Sequence, residues 1–163
     1  MALLLICSLI VSNGCKHEAK EGIEFEMFEA GRKAAGFTWY KFSPAKLASS
    51  GLSGHTEPDQ RTRFNNIAAT MLDANGKITE GITFPEESFI VKELYKSNGN
   101  LSSYAMMLKR PSAPEADADG WVWGYFDEKG SVRAPASEKG SQCRGCHNQN
   151  GSIDFSLMNV AHP

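Results

Sequence analysis

Apolar positions follow three regimes along this chain. Ala2 to Val11 form an apolar run with Ser8 as its one polar residue, too short to cross a bilayer and the right size for the core of a secretion signal. From Glu21 to Ala35 the spacing becomes helical: Ile23, Met27, Ala30 and Ala34 recur with Glu24, Glu26, Glu29, Arg32 and Lys33 between them. This predicts an amphipathic helix ending at Gly36, with Met27 and Phe28 in its core stripe rather than acting as ligands. Further on, runs with strand-like composition alternate with turn residues. Phe37 to Phe42, closed by Ser43-Pro44, reads as a strand, and residues 45 to 60 read as irregular, with His55 among loop residues. Arg63 to Leu72 fits either a strand or a short helix, and Asp73 to Gly76 is a turn.

The later strands are clearer. Ser88 to Tyr95 reads as a strand in which Phe89, Val91, Glu93 and Tyr95 share one side and Ile90, Lys92 and Leu94 the other. Lys92 therefore shares a face with two aliphatic residues, and its amine either crosses that face to solvent or points into a pocket. Ser103 to Arg110 is a further strand candidate, Pro111 to Gly120 an exposed loop, and Trp121 to Phe126 a strand with Trp121, Trp123 and Tyr125 on one side. Asp127 to Gly130 turns the chain. The expected fold is mainly β, of the α+β kind: one sheet-dominated domain with an N-terminal helix. Four such helices, the bundle alternative, are not supported by the pattern after residue 36.

Chemistry enters with Cys143-Arg144-Gly145-Cys146-His147. Two cysteines two residues apart, followed by histidine, form a c-type haem attachment motif: the thiols add to the haem vinyl groups and the imidazole meets the iron. Half a zinc site or a redox dithiol uses the same pair. Zinc needs four ligands, however, and the other histidines are His17, His55 and His162, with no second Cys-x-x-Cys. A dithiol of the thioredoxin kind belongs in a βαβ setting, not near a chain end. His147 is thus the expected iron ligand. Only 16 residues follow it, so an iron ligand from Met158 or His162 requires that short tail to fold across the other haem face, and nothing in local spacing aims His55 there. An open or water-bound iron is the expectation.

The remaining cysteines fit export. Ser12-Asn13-Gly14-Cys15 resembles a lipoprotein processing site, although Ser12 stands where leucine is usual and no Lys or Arg precedes the apolar run. The expected organisation is a signal over 1–14, a tether over 15–22 and a haem domain over 23–163, with a lipid on Cys15 as the one membrane attachment and a periplasmic location. The net charge is −2 and the pI about 6.1, which gives no basic footprint for nucleic acid.

Phe84-Pro85-Glu86-Glu87-Ser88-Phe89-Ile90-Val91-Lys92-Glu93-Leu94, then Trp121-Val122-Trp123-Gly124-Tyr125-Phe126-Asp127, then Cys143-x-x-Cys146-His147 resemble the successive landmarks of the cytochrome P-460 family, which includes the β-sheet relatives called cytochrome c′-beta. Glu87 departs from the glycine common at its position. The resemblance runs from about Phe37 to Met158. It implies an antiparallel β fold, often a homodimer, with haem c bound by Cys143 and Cys146, His147 as proximal ligand and an open distal side. It further implies a covalent bond from Lys92 to the haem edge, and a distal arginine that best matches Arg63, with Arg61 as the alternative.

Two activities follow as expectations. One is oxidation of hydroxylamine, which needs a proton acceptor, for which Glu138 lies nearest in sequence to the motif. The other is binding of NO, or electron carriage to and from a periplasmic partner, without turnover, in a pocket walled by Phe64, Met106 or Phe89.

Overall fold

The computed structural model describes residues 21–33 and 35–163. The signal, lipid and most of the tether expected over residues 1–22 lie outside the described residues, as does Ala34.

One antiparallel sheet organises the domain. Its seven strands are β1 (Thr38–Trp39), β2 (Leu47–Ala48), β3 (Asp59–Phe64), β4 (Phe89–Tyr95), β5 (Leu101–Lys109), β6 (Trp121–Asp127) and β7 (Val132–Ala134), in the spatial order β1-β3-β4-β5-β6-β7, with β2 also paired to β3. Helix α1 (Gly22–Gly31) lies against one face, and the short helices α2 (Asn66–Ala69), α3 (Arg144–His147) and α4 (Met158–Ala161) belong to the connections and the tail. The fold is the expected β-dominated α+β architecture.

Both faces are covered, and each carries its own core. Met27, Phe28, Phe89, Val91, Met106, Val122 and Phe126 pack together on the α1 side. Tyr40, Phe64, Phe84, Ile90, Met107, Trp121, Trp123 and Met158 pack on the other. The period-two reading of β4 and β6 assigns these faces correctly, because successive side chains of a strand must leave it on opposite sides.

Helix α1 stops at Gly31, short of Gly36. A side chain at Gly31 would place its Cβ 2.4 Å from the Met106 terminal methyl, so the helix end lies directly on the sheet. The Arg63 guanidinium then takes the carbonyls of Gly31 and Lys33, which ends the helical ladder. Gly31→Ala should cost about 1–3 kcal/mol by overpacking, measured as a lower midpoint in urea with an unchanged slope.

The strand expected over 37–42 covers only Thr38–Trp39. Lys41 and Phe42 take left-handed backbone angles (φ 53° and 52°), because the turn through Gly76 packs on them: Lys41 N donates to the Gly76 carbonyl at 2.8 Å. The ambiguous segment after Arg63 is both alternatives in succession. β3 ends at Phe64, and Asn65 caps α2 by accepting from Ala68 N at 2.9 Å. The segment expected to be loop over 45–60 also contributes β2 and the start of β3. Glu87, where the resemblance expects glycine, has φ 63°, the conformation glycine favours. Its carboxylate is held by Arg110 at 2.6 and 2.7 Å.

Candidate functional site

The cavity lies on the face opposite α1. Its volume is about 270 Å³, and its walls include Ile90, Ala105, Met107, Trp123, Leu157 and Ala161. Lys92 enters it from the middle of β4, opposite Thr62 on β3 and Ala105 on β5. Of the two fates expected for that amine, the structure shows the second. The amine has no hydrogen-bond or ion-pair partner among the described residues, and burial pushes its pKa down to about 8. Its neutral, nucleophilic fraction therefore grows as pH rises through that value, well below the range of an exposed lysine.

The Cys-x-x-Cys-His segment closes one wall of the cavity. α3 begins just after Cys143, and Arg144, between the two cysteines, bonds Asp117 and, at 2.7 Å, Asp119. Asp117 also accepts from Trp121 N at 2.9 Å and Trp123 Nε1 at 2.8 Å. One buried carboxylate thus docks the motif on β6. The loop from Pro111 to Gly120, expected to be merely exposed, supplies it. Cys143 and Cys146 are free thiols, and burial raises the pKa of Cys143.

His147 is oriented. Its Nδ1 lies 2.8 Å from the Phe155 carbonyl oxygen; a carbonyl can only accept, so Nδ1 carries the proton and Nε2 keeps its lone pair. The ring stands edge-on to Trp123, with centroids 5.1 Å apart. Burial, reinforced by the nearby Lys92 charge, pushes its pKa down to about 4, which favours the neutral form a metal requires. The carbonyl is aimed by an unusual backbone: Asp154 and Phe155 have φ of 42° and 68°. Asp154 is fixed there by Lys109 at 3.0 Å, Trp121 Nε1 at 3.1 Å and Phe84 N at 2.8 Å.

The other expected site residues fall elsewhere. Arg63 pairs in register with Val91, one residue off the Lys92–Thr62 rung, so it leaves the sheet on the α1 face. It is fully buried there, 2.9 Å from Glu93. Arg61 takes the other oxygen of Glu93 at 2.5 Å. Neither arginine reaches the cavity, which corrects the expectation of a distal arginine from these positions. Glu138 is exposed and does not line the cavity; it accepts from Nε2 of Gln142, which does, at 2.7 Å. Of the three expected walls, Met106 lines the cavity, although the end of its side chain packs against Gly31 on the α1 side; Phe89 packs on the α1 side and Phe64 on Phe84, and neither encloses the site.

In the tail, Thr62 Oγ1 donates to Met158 Sδ at 3.2 Å, and His162 Nε2 meets Gln60 Nε2 at 2.7 Å. Met158 lines the cavity, whereas His162 does not. His55 does line the cavity. Burial, then the Lys92 and His147 charges, push its pKa down to about 4, against the opposing pull of Glu57.

Two free thiols, an imidazole whose Nε2 has no partner among the described residues and a mostly apolar chamber fit a haem. The antiparallel sheet with this chamber on one face defines a β-sheet cytochrome rather than a helical one. The family model for Cytochrome P460 matches residues 46–156, and the chain belongs to that family. No curated protein matches the chain.

Proposed function

We propose that this cytochrome carries its haem covalently through Cys143 and Cys146, with His147 Nε2 on the iron and Lys92 bonded to the haem edge, and that it oxidises hydroxylamine. A periplasmic location, a lipid on Cys15 and a periplasmic electron acceptor belong to the same reading. The observation that carries it is the Lys92 amine, unpartnered among the described residues and held in the chamber that His147 faces. An enclosed lysine without a counter-charge costs stability, and a covalent bond at its nitrogen removes that cost.

When bound, haem supplies an iron that takes small nitrogen compounds and passes electrons to an acceptor. The chain does the rest. Phe155 fixes the imidazole tautomer, Asp117 holds Arg144 and with it both thiols, and Trp123 supports the His147 ring. The apolar walls formed by Ile90, Met107 and Leu157 keep water from the reacting molecule. The same walls suit a small neutral gas, and binding of NO without turnover is the second reading.

Lys92→Ala separates the two. The parent protein should show a strongly red-shifted ferrous Soret band and retain haem mass after thioether cleavage. The variant should show an ordinary c-type spectrum and lose its haem on cleavage. An ordinary spectrum in the parent protein would sink the oxidising reading.

A further inference from the structure

The cavity is lined by six titratable side chains: His55, Lys92, Tyr125, Cys143, Cys146 and His147. The function proposed above occupies four of them. The Tyr125 hydroxyl lies 3.4 Å from Ser103 Oγ, on a strand position removed from the motif. His55 is left, and its ring nitrogens have no hydrogen-bond partner among the described residues.

His55 is held in place although it comes from a loop. The ends of the loop over 49–58 are fastened together: Ala48 pairs with Asp59, Ser49 N donates to the Pro58 carbonyl at 2.7 Å and Ser49 Oγ to the Glu57 carbonyl at 2.5 Å. Glu57, two residues from His55, is buried and accepts from Ser103 Oγ on β5 at 3.0 Å. The loop also reaches the attachment motif, since a Cβ on Gly54 would lie 3.4 Å from Cys146 Sγ. The imidazole packs on Tyr125 with centroids 5.7 Å apart, as His147 packs on Trp123. Trp123 and Tyr125 are successive same-face residues of β6, about 7 Å apart along the strand. Two imidazoles from separate segments thus enter one chamber on neighbouring rungs.

Resting on the proposed function, we infer that His55 is the group that hydrogen-bonds to the small nitrogen molecule in the cavity and accepts its proton. Hydroxylamine gives up an N–H or O–H proton to a lone pair on the neutral ring, which becomes imidazolium. The half-buried ring then returns that proton to solvent from the outer side of the loop, and no electron moves in this step. His55, which lines the cavity, takes the role expected of Glu138, which is exposed and does not line it.

Cyanide binding to the ferric haem protein tests the role without turnover, because near neutral pH cyanide arrives as HCN and must lose its proton to bind. His55→Ala should slow association about 100-fold, with added imidazole restoring part of the rate and His55→Gln falling between. Haem content and ferrous spectrum should stay as in the parent, and hydroxylamine-dependent reduction of an added one-electron dye should fall with the cyanide rate. Unchanged cyanide association in both variants would overturn the assignment. So would a ferric spectrum that turns from low-spin to high-spin in His55→Ala, which would make His55 an iron ligand. Either result in a protein that keeps its red-shifted Soret band leaves the proposed function standing, whereas an ordinary c-type spectrum removes that function first.

Discussion

Asp154→Ala should lower stability by about 3–5 kcal/mol, the usual cost of leaving a buried charge without its partner. Both side chains of the Lys109–Asp154 pair are almost fully enclosed, at 8% and 9% exposed. The carboxylate also satisfies Trp121 Nε1 and Phe84 N, so removing it strips three donors at once. The second consequence is local to the site. Asp154 precedes the residue whose carbonyl orients His147, and outer partners of a metal-bound histidine typically change affinity or activity 10- to 100-fold, roughly. The variant should therefore unfold at lower denaturant and show a shifted, broadened iron–imidazole stretch in the ferrous resonance Raman spectrum. Asp154→Asn separates charge from backbone, since asparagine tolerates the left-handed region but leaves the Lys109 charge uncompensated. It should lose most of the stability and less of the spectral definition. A stability change indistinguishable from zero in both variants would refute this account.

Arg63→Met should cost about 3 kcal/mol, near the lower end for a broken buried pair, because Arg61 and Tyr95 still donate to Glu93. Methionine fills part of the volume but leaves the carbonyls of Gly31 and Lys33 without their donor, so the C-terminal end of α1 should exchange its amide protons sooner. Absorption spectrum and rate of ligand binding should not change, because Arg63 lies on the far side of the sheet from Lys92. That combination distinguishes a structural arginine from a distal one. A spectrum or cyanide rate altered as strongly as by His55→Ala would return Arg63 to the cavity.

Arg63 also shows where the sequence runs out. Lys92 could be assigned a face because Ile90 and Leu94 on either side phase the alternation of β4. Arg63 sits at a segment that fits strand or helix, so its own sequence offers no phase. The pairing Thr62↔Lys92 decides its side, and a slip of one residue would have reversed it. Glu138 was placed by nearness in sequence to Cys143, but its side chain turns to Gln142. Asp117 and Asp154 gave no signal, as each lies in turn composition where an aspartate is ordinary. Indole donors, with the Lys109 ammonium on Asp154 and the Arg144 guanidinium on Asp117, make them structural, and those charged donors arrive from segments 45 and 27 residues away.

The sequence by itself determined the β-dominated class, the faces of β4 and β6, the face that Lys92 shares with Ile90 and Leu94, and the Cys-x-x-Cys-His motif. Each depends on a period or spacing of a few residues, which covalent geometry alone translates into direction. Only the tertiary structure decided what surrounds the motif. The tautomer of His147 depends on the carbonyl of Phe155, whose backbone Lys109 and Trp121 hold through Asp154; the docking of Arg144 and the entry of His55 depend on contacts between segments tens of residues apart, set by strand register and loop closure.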